Sequence, residues 1–317
     1  MDTLLYLIAR AVVGLIQALP LRCVARLGRL GGMIAYGLDR RHRRVAVENL
    51  ARCFGRELSP RQIKRLAREN FRRIGENFAC AAKTAAMTFE ELRPHLEFSD
   101  PFRVLEHLRQ SPPRGVVGAI GHFGNFELYS RLADFAPHFK CATTYRGLRQ
   151  PRLDRLLKSL RERSGCRFFE RRFEAAALKA FMNQPGVMLG LLADQHAGPH
   201  GLRLPFLGQD CSTSPAPALF ALRYHCRLYT AICYRVGLAR WRIEAGPEIP
   251  TTCEDKPRPL ADIMRDVNQA FEVAVRRDPA NWFWVHNRWK LGAAAPANTQ
   301  NTESSAAPHA TVSAAGP

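Results

Sequence analysis

The stretch "RGVVGAIGHFGNFELYSRLADFA", residues 114–136, decides how the whole chain is read. It opens as a short apolar run with interspersed glycines, the texture of a strand buried on both faces. From Phe126 onward it reads as an amphipathic helix. Between the two lies the loop "GHFGN", and Glu127 follows His122 by five positions. Strand, glycine-bearing loop and helix in that order are the unit of an α/β layer. The loop falls outside the carboxyl end of the strand, where open α/β sheets place their ligands.

Residues five apart on a regular helix point about 140° from each other, so His122 and Glu127 cannot meet on one helix. They meet if His122 sits in the loop and Glu127 in the first turn, where the helix dipole favours a carboxylate that bends back to the imidazole. A carboxylate holding one ring N–H leaves the other nitrogen as a base. No serine or cysteine nucleophile stands in the motif, so the attacking hydroxyl is expected from a substrate, in direct transfer without a covalent enzyme intermediate.

Downstream, apolar runs and amphipathic helices alternate. "CATTYR" reads as a strand, "PRLDRLLKSLRERSG" as a helix closed by Gly165, "FEAAALKAFMNQ" as a helix, "GVMLGLLAD" as a strand ending at Asp194, and "SPAPALFALRYHC" as a helix. "LYTAICYRV" and "RWRIEAGPEI" read as an antiparallel strand pair, and "LADIMRDVNQAFEVAVRRD" as the last helix. The expected fold class is α/β: a central, mostly parallel sheet with an antiparallel part, flanked by helices, carrying an N-terminal helical membrane-associated cap.

Upstream, Ser59 and Pro60 open a helix with Ile63, Ala67, Phe71, Ile74, Phe78 and Ala81 on one face and Arg61, Lys64, Arg65, Arg68, Arg72 and Arg73 on the other. Thr88 and Glu91 make a capping box for a short helix ending near Pro94. Residues 3–20, "TLLYLIARAVVGLIQALP", are nearly long enough to cross a bilayer but hold Arg10 near the middle and Gln17 later. They read as a helix lying in a membrane surface, followed by the basic stretch "DRRHRRVAVENLARCFGR". The expected organisation is a membrane-associating helix region over 1–30, a helical cap over 31–112, an α/β core over 113–291, and a disordered low-complexity tail over 292–317.

The 317 residues are 46% hydrophobic, enough for a real core, and 47 Lys and Arg against 28 Asp and Glu leave a net charge of +19 that calls for an anionic partner. Nucleic acid is set aside, because the arginines are spread over helices without interleaved aromatics or a known module. Nine scattered cysteines, none in C-x-x-C, read as buried small hydrophobes. Asp194, His196 and His200 share a loop rich in Gly and Pro without the spacing of a closed metal site, and no metal or other cofactor is expected.

"GHFGNFE" resembles the His-x4-acid motif of the glycerolipid and lysophospholipid acyltransferases, and is most similar to the lipid A biosynthesis (lauroyl/myristoyl) acyltransferase family. "YRGLRQPRLDRLLKSLRERSG", "GVMLGLLADQHAGPHGLRLPFLG" and "PANWFWVHNRWK" are similar to further segments of that family, and the likeness runs over roughly residues 1–291. It implies a monotopic enzyme at the cytoplasmic face of the inner membrane that moves an acyl chain from acyl carrier protein to a hydroxyl of an anionic lipid A precursor. It makes His122 the general base and Glu127 the group that orients it. It also implies substrate-binding roles for Arg146, Arg161, Arg163, Asp194, Gln195 and Asn125. Either Arg161 or Arg163 matches the family's functional arginine; Arg163, at the helix end, is taken for substrate phosphate or the developing oxyanion. Asp194 is expected to bind acceptor hydroxyls or fix an arginine. The tryptophans of "WFWVHNRWK" are expected to pack or to sit at a bilayer interface, with His286 and Arg288 structural. A sister group that acylates phosphatidylinositol mannoside from acyl-CoA shares the motif, and a hydrolase or a non-catalytic basic membrane protein are readings of other classes.

Overall fold

The computed structural model describes residues 2–110 and 115–290. The tail expected over 292–317 and the boundary at 112/113 lie outside the described residues. The chain begins with four helices, α1 (Asp2–Ala18), α2 (Leu21–Leu38), α3 (Arg40–Phe54) and α4 (Pro60–Thr84), then the single turn α5 (Phe89–Leu92). Thr88 forms the capping box read from the sequence, and Ser59, read there as a cap, forms one as well, their hydroxyls taking the Glu91 and Gln62 backbone N–H groups. The boundary expected at 30/31 falls inside α2.

Two short elements that the sequence reading had left unassigned follow, β1 (Leu96–Ser99) and α6 (Val104–Gln110). Next come β2 (Gly115–Ile120), a 3₁₀ helix (Phe126–Arg131), α7 (Leu132–Phe135), β3 (Lys140–Tyr145), α8 (Pro151–Glu162), β4 (Arg167–Glu170), α9 (Ala175–Met182) and β5 (Val187–Leu192). The hairpin β6 (Leu202–Phe206) and β7 (Gln209–Thr213), then α10 (Ala216–Arg223), β8 (Arg227–Gly237), β9 (Arg240–Ile249) and α11 (Leu260–Arg277) complete the core. β1 and β4 are four residues long, too short to show periodicity, and Pro205 inside β6 masks that strand. The segment after the glycine loop winds as 3₁₀ rather than α, a tighter winding suited to so short a piece.

The seven-stranded sheet has the order β1-β9-β8-β2-β5-β3-β4. Every pairing is parallel except β8 with β9, as the alternation of strands and helices implies. Its core side is closed by α10 and α11, with Ile263, Val267 and Phe271 buried against Val117, Leu189 and Leu228.

α2 and α4 cross at backbone contact. A Cβ on Gly32 would lie 2.1 Å from the Phe71 carbonyl oxygen, and one on Gly75 would lie 2.2 Å from that of Gly28. The close approach buries Glu76, which the charge pattern of α4 had not singled out. Its carboxylate accepts from Arg29 (3.2 Å), Arg235 (2.8 Å) and the Ala239 backbone N–H (3.0 Å), tying cap to sheet. Arg73 faces inward to Glu69 and Asp278 instead of outward, while Phe78, expected in the core face, stays half exposed, edge-on to Phe126 and Phe283.

Among the described residues no helix is long and apolar enough to cross a membrane. α1 buries none of its residues, and Leu4, Leu5, Leu7, Ile8, Val12 and Leu15 are exposed on it, continued by Leu27, Leu30, Met33, Ile34 and Leu38 of α2. All nine cysteines are free; six are buried, Cys53 is partly so, and Cys23 and Cys253 are exposed against the expectation of burial.

Candidate functional site

Strand register brings the site together. β2 and β5 pair in parallel with Ile120 opposite Leu192, and Ala193 N–H continues the ladder to Ile120 O at 3.0 Å. Two residues past each strand end lie His122 and Asp194. Asp194 Oδ1 lies 2.8 Å from His122 Nδ1, and Oδ2 accepts both the His122 backbone N–H and the Trp282 indole N–H at 2.8 Å.

The glycines permit this approach. A Cβ on Gly121 would lie 3.1 Å from the Asp194 carboxyl carbon and 2.7 Å from the Phe123 ring. Gly124 is in the left-handed region at φ +51, where a Cβ would meet the Cys233 carbonyl at 2.5 Å, and its N–H donates to Asn281 O at 2.9 Å.

Asp194 is 1% exposed. Burial alone would raise its pKa, but the adjoining His122 charge and the three hydrogen bonds outweigh that and hold it at about 2, below the usual 3.8. An ionised carboxylate only accepts, so Nδ1 of His122 carries a proton whether the ring is charged or not, and in the neutral imidazole the lone pair is on Nε2. The His122 side chain is 15% exposed and ringed by Phe126 and Phe283, with centroids at 4.8 and 5.8 Å.

Glu127 does not bend back to the imidazole, and no hydrogen bond joins the two among the described residues. Its carboxylate takes the Arg161 guanidinium through two parallel bonds, Nε at 2.8 Å and Nη2 to the other oxygen. A residue in the first turn after the loop points away from the strand ends, whereas register places Asp194 beside His122 without any bending. Asp194 therefore neither holds an arginine nor offers an unpaired oxygen to an acceptor hydroxyl, contrary to the role expected of it.

Arg161, not Arg163, is the α8 arginine at the site. It lies over the Phe168 and Tyr145 rings at 5.6 and 6.0 Å, while Arg163 at the helix end is exposed and does not line the cavity. Arg146 and Gln195 line the cavity. Asn125 does not reach it: it is 1% exposed, and its side-chain amide has no hydrogen-bond partner among the described residues. The cavity is about 860 Å³ and is lined by His122, Glu127 and Arg161 together with apolar residues such as Cys141, Phe168 and Met188.

The C-terminal segment contributes what sequence reasoning had treated as packing. Trp282, Trp284 and Trp289 are buried together against Phe206, not at a surface, and Trp282 supports the Asp194 carboxylate directly. Asn49 of α3 donates to the Trp284 and His286 carbonyls at 2.9 and 2.8 Å, and Asn70 of α4 to that of Ala280 at 3.0 Å, so the helical cap holds this segment. Arg288, fully buried, donates to Gln195 O and Thr213 Oγ1 and pins the loop after Asp194, the structural role expected of it.

His286 also lines the cavity. Its Nε2 accepts the His196 backbone N–H at 2.9 Å, so the ring is neutral and its proton sits on Nδ1. Burial pushes its pKa down to about 4. The sequence signal for this residue was its place between two tryptophans and an arginine, which does not distinguish a packing histidine from a donor.

A base oriented by a buried carboxylate, an arginine beside it and an apolar cavity together suit transfer between a hydroxyl and an acyl group. The family model described as bacterial lipid A biosynthesis acyltransferase matches residues 2–291. No curated protein sequence matches the chain.

Proposed function

Because the chain belongs to the bacterial lipid A biosynthesis acyltransferases and is accordingly an acyltransferase, we propose that it moves a fatty acyl chain from acyl carrier protein to a hydroxyl of a lipid A precursor at the cytoplasmic face of the inner membrane. The observation that carries this reading is the Asp194–His122 pair opening on the apolar cavity beside Arg161.

His122 Nε2 takes the proton of the acceptor hydroxyl as its oxygen attacks the thioester carbonyl carbon. Asp194 holds the tautomer that leaves Nε2 basic and stabilises the imidazolium that forms. Negative charge develops on the carbonyl oxygen near Arg161, which Glu127 fixes in place, and near the His286 Nδ1–H. When the C–S bond breaks, the proton on Nε2 goes to the departing thiolate. No step needs a covalent acyl-enzyme. Arg146 and Gln195 serve substrate binding at the cavity wall, whose apolar side chains suit the acyl chain.

The exposed leucines and isoleucines of α1 and α2 favour seating on a lipid surface over spanning it. On this reading residues 1–30 are the membrane-associating region, 31–112 the cap, which lends edge strand β1 to the sheet, and 113–291 the acyltransferase core. The net charge of +19 suits an acidic carrier protein and anionic lipid alike.

The test is transfer from radiolabelled acyl carrier protein to a Kdo-bearing lipid A precursor in detergent micelles, with the native chain and His122→Ala. Labelled lipid from the native chain and none from the variant supports the reading. Equal activity in both sinks the base assignment, and transfer only from acyl-CoA to a phosphatidylinositol mannoside sinks the donor and acceptor.

A further inference from the structure

Arg10 interrupts the apolar run of α1, and the proposed mechanism gives it no task. It is exposed on α1, its Nη1 at 3.5 Å from Tyr6 Oη one turn away. A second cavity, of about 460 Å³, separates α1 from α8 and is lined by Tyr6 with Arg152, Arg155, Leu156 and Ser159. The four α8 residues follow the i, i+3, i+4, i+7 spacing of one helix face. The α8 residues at the catalytic cavity, Leu157 and Arg161, form a different face. α8 thus borders both cavities.

The second cavity is cationic without internal compensation. Among the described residues no carboxylate lies in salt-bridge range of Arg152 or Arg155, whereas Arg161 on the neighbouring face of the same helix is held by Glu127. Arg152 donates to Thr3 Oγ1 at 2.9 Å, a neutral contact that keeps its guanidinium at the α1 side. Two guanidiniums, a tyrosine hydroxyl and a serine hydroxyl line it and form a donor set for a phosphate, which takes several charge-assisted hydrogen bonds at once. The wall opposite α8 is α1, whose outer face is exposed leucine and isoleucine, so a phosphate here would sit at the level of a lipid headgroup. From Arg155 to Arg161 the helix rises about 9 Å, so one helix carries arginines at both cavities a short distance apart.

We infer that the cleft between α1 and α8 binds a phosphate of the anionic glycolipid acceptor and thereby sets which hydroxyl reaches His122. The inference rests on the proposed acceptor, and binding tests it separately from transfer. Full-length protein in dodecylmaltoside micelles is titrated with the lipid A precursor and with the same lipid stripped of its phosphates by a phosphatase. The native chain is compared with Arg152→Gln/Arg155→Gln, checked for an unchanged melting temperature. The native chain is expected to prefer the phosphorylated lipid by about tenfold or more, and the double variant to lose that preference. Native binding with this preference but no acyl transfer would overturn the activity and leave the cleft supported. A variant that keeps the native preference overturns the inference. So does displacement of the lipid by inorganic phosphate in the lipid's own concentration range, which marks a free-phosphate site. Loss of flotation by the double variant on phosphatidylcholine vesicles containing phosphatidylglycerol marks a bulk-lipid site and also overturns it.

Discussion

Asp194→Asn separates the two carboxylates that compete for the role of orienting His122. Oδ2 of Asp194 receives two N–H groups, from the His122 backbone and Trp282, so the carbonyl oxygen of an asparagine stays on that side. Its NH₂ then faces His122 Nδ1, where Oδ1 now lies at 2.8 Å. Two donors cannot pair, and the imidazole moves its proton to Nε2, the atom that has to accept one from the acceptor. General-base catalysis contributes about 10²–10⁴-fold, so kcat is expected to fall by that factor, or about 3–5 kcal/mol, with little change in acceptor KM. Stability falls too, because a carboxyl held at about 2 instead of 3.8 contributes about 2 kcal/mol near neutral pH. The assay is initial-rate acyl transfer at saturating acceptor, with urea unfolding run alongside to separate lost fold from lost chemistry. Glu127→Gln is the control: it loosens Arg161 but leaves the His122 proton on Nδ1, so the pH dependence set by the base is retained. Near-native kcat in Asp194→Asn, together with a collapse in Glu127→Gln, would refute the assignment.

Gly32→Ala drives a methyl group into the Phe71 carbonyl and is expected to cost about 1–3 kcal/mol as α2 and α4 separate, read as a lower Tm. Glu76→Ala leaves Arg235 and the Ala239 N–H facing an empty position; a loss of about 3–5 kcal/mol in chemical denaturation is expected, and no loss would mean the network does not join cap to sheet. Acid should destabilise the protein in two windows. Buried neutral His286, lowered from 6.5 to about 4, lets the unfolded chain bind the extra proton as pH falls between those values, and Asp194 loses its contribution as pH falls from 3.8 through about 2. His286→Gln should flatten the first window in a Tm-versus-pH series. Deleting residues 2–18 should move the protein into the supernatant on carbonate extraction, and retention in the pellet would assign membrane binding elsewhere than α1.

Strand and helix alternation, capping boxes and the strand-loop-helix around His122 were legible because each depends on residues near one another in the chain. Apolar runs identify buried strands, Ser59 and Thr88 cap their helices locally, and Gly121 and Gly124 mark a loop that must approach other backbone. The strands of four or five residues were not legible, since periodicity needs more length to show.

The strand-loop-helix that holds His122 and the α/β order were therefore determined by the sequence alone, through local pattern. Which carboxylate serves His122 was decided only in three dimensions. The pairing of Ile120 with Leu192 aligns residues 72 positions apart and delivers Asp194, while Glu127, five positions away, turns to Arg161. Trp282, Asn49 and Asn70 enter the site in the same way, from segments distant in the chain, because a hydrogen bond to a buried carboxylate or carbonyl depends on packing and leaves no mark in residue spacing.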